Sequence, residues 1–159
     1  MADNTTVNAI VIDRTFDAPP ALVWKAWSEP EHFMQWWGPE GFTSPECKMD
    51  FRVGGTYHYC MEMPDGSRIY STGTYDEIVP HERIAYTDWF ADADGNRVSA
   101  AHYGMPDDTP QPTTVTVTFE AQGDQTRMTL THRGLPAGQD SAMATVGWNE
   151  SFDKLAASL

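Results

Sequence analysis

The end of the chain carries the pattern that most restricts its fold. Thr145, Trp148, Phe152, Leu155 and Leu159 recur at spacings of three and four, the period of one helix face. Most of what precedes them alternates with period two, punctuated by turns. An antiparallel sheet with one apolar face has to bury that face, and a single long helix is the element available to cover it. A helix of about 20 residues is about 30 Å long, the scale of a small domain, so it is expected to lie across the sheet. The order is one strand, two short helices, about six strands in hairpin succession and the long helix, which makes the fold class α+β.

Residues 7–16 place Ile10, Ile12 and Phe16 on one parity, interrupted by Arg14. Two readings of Arg14 stand: the guanidinium snorkels at the strand end, or it points inward to meet a ligand or an acid. Cys47, Met49 and Phe51 share one parity, as do Tyr57, Tyr59 and Met61 beyond Gly54-Gly55. A two-residue loop would set apolar against polar along that ladder. A three-residue loop or a glycine bulge pairs Phe51 with Tyr57, Met49 with Tyr59 and Cys47 with Met61, and this is the expected register. It sends Cys47 inward and Cys60 outward, which forbids a disulfide between them.

The strand after Pro64-Asp65-Gly66 offers two parities, Tyr70 with Thr72, Thr74 and Ile78, or Ile69 with Gly73 and Tyr75, and its facing stays open. Residues 83–90 are rich in β-formers. Residues 91–112 show neither period and read either as a cover over an opening, with Tyr103 and Met105 at its centre, or as a disordered insertion. Residues 113–119 and 126–132 alternate again around a Gly123-Asp124 turn, with His132 on the apolar parity.

Asp17-Ala18-Pro19-Pro20 ends the first strand and opens a short helix through Leu22, Val23, Trp24, Ala26 and Trp27. Ser28 followed by Glu31 has capping-box spacing, so a second helix is expected to run to Trp37 and stop at Gly38-Pro39. Trp36 and Trp37 are adjacent and cannot both be buried by one helix face. One packs inward and the other meets a second surface. With Phe16, Trp24, Trp27, Phe33 and Phe42 nearby, these rings form either core or the wall of an apolar cavity, and such cavities bind small apolar molecules.

The 23 acidic against 10 basic residues give a formal charge of −13, which repels phosphate backbones and anionic headgroups. Neither nucleic acid nor a membrane surface is an expected partner. No apolar run of about 18 residues exists, and Met1–Thr6 lacks the basic start of a secretory signal. The expectation is a cytoplasmic protein without membrane insertion, folded as a single domain over its 159 residues. The five histidines and two cysteines show no metal-ligand spacing, so no metal or cofactor is expected. Paired carboxylates, a nucleophile elbow and a phosphate loop are all missing, so no catalytic residue is assigned.

Several segments taken together resemble one family: Arg14-Thr15-Phe16-Asp17-Ala18-Pro19, Val23-Trp24-Lys25-Ala26-Trp27, Pro30-Glu31-His32, Trp36-Trp37-Gly38-Pro39, residues 50–55 (DFRVGG), Asp65-Gly66, Gly73-Thr74-Tyr75, Pro80-His81-Glu82-Arg83, Gly147-Trp148 and Leu155-Ala156-Ala157. They are similar to the bacterial relatives of the activator-of-Hsp90-ATPase homologue family, within the START-like, helix-grip superfamily. The resemblance implies a curved antiparallel sheet of about six or seven strands gripping the C-terminal helix, with two small helices at one end and a cavity between. It implies binding of lipids, hormones or polyketides, and in a few members cyclase or hydrolase chemistry in the cavity. The Hsp90 activator carries such a domain behind a second domain that engages the chaperone, for which this chain leaves no room.

The expected function is binding of a small hydrophobic or aromatic ligand between sheet and helix, by Arg14, Trp36, Met49, Phe51, Tyr57, Tyr59, Met61, Trp89, Tyr103, Phe119, His132, Trp148 and Phe152. Met143 adds adaptable packing. Two other readings stand: a chaperone-modulating or stress-response interaction protein, and a cyclase- or hydrolase-like enzyme using His132, Arg14 or Tyr57 as proton donor. A chaperone contact and a homodimer stay open as partners.

Overall fold

The computed structural model describes residues 8–106, 109, 111–135 and 139–159; the readings made on Met1–Thr6 and on the Pro136-Ala137-Gly138 turn lie outside them. Seven antiparallel strands form one sheet in the order β1-β7-β6-β5-β4-β3-β2. They are β1 (Asn8–Phe16), β2 (Cys47–Met49), β3 (Thr56–Glu62), β4 (Arg68–Val79), β5 (Arg83–Ala91), β6 (Thr113–Gln122) and β7 (Gln125–Leu135). Helices α1 (Pro20–Ser28) and α2 (Pro30–Phe33) follow β1, and α3 (Gln139–Ser158) closes the chain. The inner face of the sheet is apolar because Ile10, Ile12 and Phe16 of β1, Val115, Val117 and Phe119 of β6, and Met128 and Leu130 of β7 all lie on it, buried. Trp148, Phe152 and Leu155 of α3 close over them. Leu159 does not join that stripe: it follows the last helical residue and is exposed.

Two local expectations are corrected, and a facing left open is decided. First, the β2–β3 register pairs Cys47 with Tyr59 and Met49 with Tyr57, two residues away from the expected one. The loop is longer because residues 50–55 fold on themselves, with Arg52 N–H bonded to the Asp50 carbonyl and Gly55 N–H to that of Arg52. The shift is even, so facing is preserved; Cys47 and Cys60 remain on opposite faces as free thiols. Phe51 leaves the ladder altogether.

Second, Ser28 does not cap α2. It is the last residue of α1, and Glu29, extended at φ −117° and ψ 126°, stands before Pro30, as the proline ring requires of its predecessor. The helix consequently ends at Phe33, and hydrogen-bonded turns carry the chain to Trp37. Third, β4 uses both of its parities. A bulge between Tyr75 and Glu77 allows Gly73 and Tyr75 before it, and Ile78 after it, to reach the core side. Tyr70 faces outward into a satellite cluster with Cys60 and Ala91.

Candidate functional site

Trp36 and Trp37 diverge where α2 unwinds. Trp36 is fully buried and donates its indole N–H to the Ala26 carbonyl at 2.9 Å. Trp37 turns the other way, its ring 5.1 Å from those of Phe33, Tyr59 and Trp148. Gly38, at φ +104°, then reverses the chain. The segment that follows is tied to α3: Lys154 Nζ donates to the carbonyls of Pro39 and Phe42, and Glu40 N–H to Glu150. This tether holds the 37–39 corner against Gly147 and makes it a wall.

Behind that wall lies a cavity of about 430 Å³, within the size range of small-molecule sites. Its floor is the inner face of the sheet, from Tyr59 and Met61 through Ile69, Tyr86 and Phe90 to Val115. Its roof is the first half of α3, at Met143, Ala144, Gly147 and Trp148, and its far side is Met105, Thr109 and Gln111. The segment between β5 and β6 thus contributes to the cavity, while Tyr103 in its short 3-10 turn (Ala100–Tyr103) packs on the outer face, its hydroxyl meeting the Ala91 carbonyl and the Tyr70 amide.

A polar band crosses this apolar floor. Tyr57 of β3 passes over Gly73 of β4, and its hydroxyl donates to Asp88 Oδ1 on β5. Asp88 is paired in the sheet with Thr113 of β6, whose hydroxyl is 3.0 Å from His132 Nε2 on β7. Trp148 of α3 completes the band, donating its indole N–H to His132 Nδ1 at 3.1 Å. An indole can only donate, so Nδ1 carries no proton and Nε2–H points to Thr113. Burial lowers the His132 pKa to about 4, and with both nitrogens engaged the ring is a neutral structural group. Burial raises Asp88 to about 7, against the opposing pull of the Tyr57 hydrogen bond. Burial likewise raises the phenols of Tyr57, Tyr59 and Tyr86.

Gly73 is what lets the band form. A Cβ there would lie 1.8 Å from the Thr87 carbonyl oxygen and 2.6 Å from the Tyr57 hydroxyl. Gly73→Ala is therefore expected to push Tyr57 off Asp88 and to destabilise the fold by about 2 kcal/mol or more, the scale of overpacking a tight interior. Urea denaturation checks this; a change under about 0.5 kcal/mol, the range of a neutral surface exchange, would show that the strands give way without cost.

Of the residues expected to touch a ligand, the structure brings Tyr59, Met61, His132, Met143 and Trp148 to the cavity. Trp36 and Phe152 are fully buried core. Met49 and Tyr57 flank a void of about 10 Å³ under the sheet, too small for an organic guest, and an open polar groove of about 440 Å³ with Lys48, Asp50, His58 and Asp94; neither residue lines the apolar cavity, although the Tyr57 hydroxyl reaches Asp88. Phe51 and Phe119 pack edge-on to Trp24 at the other end of the fold. Trp89 carries the Arg97 guanidinium 4.1 Å from its ring. Arg14 meets an acid: it pairs with Asp153 at 2.7 Å and reaches Asn149, clamping β1 to α3. Met105 lines it as the reading of 91–112 as a cover expected, and Trp37 is the member of the tryptophan pair that becomes wall; Asp88, Tyr86, Phe90 and Gln111 were not foreseen. The parity of Ile84, Tyr86, Asp88 and Phe90, apolar but for one acid, was the available signal.

Among the described residues, no group of histidine, cysteine or carboxylate side chains could hold a metal, and no helix is long and apolar enough to cross a membrane. Residues 17–159 match the family described as Activator of Hsp90 ATPase homolog 1-like protein. No curated protein matches the chain. Among solved structures, a Chromobacterium violaceum protein shares 31% identity over 94% of this chain and 95% of its own, with a TM-score of 0.76. The AHSA1 protein of Silicibacter pomeroyi shares 27% over 94% and 96%, also at 0.76, and a Rhizobium leguminosarum protein 29% over 96% and 93%, at 0.70. With the matched segment running from the end of β1 through α3, the chain belongs to the activator of Hsp90 ATPase homolog 1-like family.

Proposed function

We propose that this chain binds a small apolar molecule, ring-bearing and lipid- or polyketide-like in outline, between the sheet and α3. The observation that carries the reading is the cavity of about 430 Å³ walled by Trp37, Tyr59, Tyr86, Phe90 and Trp148. Large rings left facing open space gain about 25 cal/mol for each Å² that a guest removes from water. Met61, Met105 and Met143 on the same walls adapt to its outline. The proton-transfer reading loses support from His132, whose two nitrogens are already engaged. A chaperone-modulating role, which the family's description suggests, leaves the cavity without a task.

The test is a titration of lipids, flavonoids, polyketide-like compounds and methylnaphthalene, followed by tryptophan emission, since Trp37 and Trp148 line the cavity. Saturable shifts are expected with at least one apolar class. Ala144→Phe, which fills the roof of the cavity, should weaken that binding at least about tenfold, the loss of about 1.4 kcal/mol. Silence from every compound, or equal binding by the filled variant, would overturn the reading.

A further inference from the structure

Asp88 is the sole carboxylate among the described residues that line the cavity, and no lysine or arginine stands beside it there. Among the described residues Tyr57 is its one side-chain hydrogen-bond partner, and it enters no ion pair. Other polar groups around it are spent within the protein. Gln111 accepts from Phe90 N–H and donates to the Val98 carbonyl, and the Thr113 hydroxyl meets His132. A carboxylate enclosed by apolar walls and lacking a counter-ion is costly to keep charged, so its natural complement is a cation brought in from outside.

We propose that the cavity selects apolar molecules carrying a protonated amine, the ammonium pairing with the Asp88 carboxylate while the hydrocarbon part fills the aromatic chamber. The inference rests on the binding role proposed above and names its ligand class. The walls suit such a guest twice over, because aromatic rings such as those of Trp37, Tyr86 and Trp148 attract cations as well as hydrocarbon. The formal charge of −13 draws organic cations toward the protein and repels anions. A fatty-acid carboxylate of the same size would instead meet a like charge at Asp88, with no base nearby to receive it.

Four compounds of one shape, titrated calorimetrically into the full chain, decide the matter: naphthylmethylamine, naphthylmethanol, methylnaphthalene and naphthoate. The amine should bind at least about tenfold more tightly than the alcohol and the hydrocarbon, and naphthoate most weakly, a tenfold step being the scale of one charge-assisted contact. Asp88→Asn should bring the amine down to the level of the alcohol, with thermal melting of the variant as the folding check.

Acidification of the native protein gives an independent arm. Asp88 takes up a proton below about 7, whereas the amine stays protonated, so amine affinity should fall from about pH 8 to about pH 5.5 while that of methylnaphthalene stays level. The groups facing Asp88 do not confuse this: Tyr57 and Tyr59 of β3 and Tyr86 of β5 have raised pKa values, and His132 of β7 is neutral down to about 4. Gly73 of β4 and Thr113 of β6 carry no charge. Equal binding of amine and hydrocarbon, a preference that survives Asp88→Asn, or an amine affinity indifferent to pH would overturn the proposal while leaving apolar binding intact. Failure of all four compounds to bind would overturn both.

Discussion

Trp36→Ala should cost the fold about 4 kcal/mol, whereas the same change one residue later should cost less than half of that and strike binding instead. Trp36 is completely enclosed, with its indole 4.8 Å from Trp27, 5.1 Å from Phe33 and 6.1 Å from Phe152. Removing it opens a hole at the junction of α1, α2 and α3 that rigid neighbours cannot fill, and it leaves the Ala26 carbonyl without its indole donor. Trp37 faces the cavity, and water or a guest can occupy the space that it vacates. Trp37→Ala should therefore lower affinity for methylnaphthalene about tenfold, the loss of one stacking wall, with only a modest change in denaturation midpoint. Chemical denaturation of both variants, alongside calorimetry of Trp37→Ala, separates the two roles. Equal destabilisation by both substitutions would show that the pair acts as a single core unit and that no wall stands apart from it.

This asymmetry shows what the chain discloses and what it withholds. That two neighbouring tryptophans must go separate ways follows from helix geometry alone. Which of them goes inward does not, because the answer depends on α2 unwinding after Phe33, and that depends on Ser28 being consumed by α1. The long terminal helix, the antiparallel order and the burial of the β1 and β6 parities are legible because each rests on a local period. Contacts that depend on long-range geometry are not. The β2–β3 register slipped by two residues because the 50–55 loop closes through its own carbonyls, a device that no alternation records. Part of the cavity's lining escaped for the same reason: Asp88, Phe90 and Gln111 lie on separate segments that only the curl of the sheet gathers beneath α3. Large rings are equally good core and equally good wall, so Trp36, Phe119 and Phe152 could not be told from Trp37 and Trp148 by type. His132 and Asp88 differ from these, since each breaks an apolar parity with a polar group. That kind of interruption guides better than ring type, although Arg14, which breaks the β1 parity, is spent on Asp153 outside the cavity.

Asp88 and His132 should impose opposite pH slopes on stability, nearly cancelling in the native protein and separable by substitution. Asp88 has its pKa raised in the fold from an ordinary 3.8 to about 7. Its contribution is whole below about 4 and is lost as pH rises through about 7, because the unfolded chain gives up that proton sooner. His132 has its pKa lowered from 6.5 to about 4. Its contribution is whole above about 6.5 and is lost as pH falls through about 4, because the unfolded chain accepts a proton that the folded ring refuses. Between about 4 and 6.5 the folded protein holds its proton on Asp88 and the unfolded one holds it on His132, so the pair makes no net difference. Substitution uncovers each slope. The stability of Asp88→Asn relative to the native protein should climb by about 2–4 kcal/mol from about pH 4 to about pH 7.5, at about 1.4 kcal/mol for each tenfold change in proton affinity and less where cavity water softens the burial. His132→Gln should show the reverse, gaining on the native protein by about 2–3 kcal/mol between about pH 6.5 and about pH 4, on top of a constant loss from the Trp148 and Thr113 hydrogen bonds. Urea denaturation across that range reads both differences. A difference for Asp88→Asn that stays flat with pH would mean that the carboxyl is as well solvated in the folded chain as in the unfolded one, and would remove the enclosed acid on which amine selection depends.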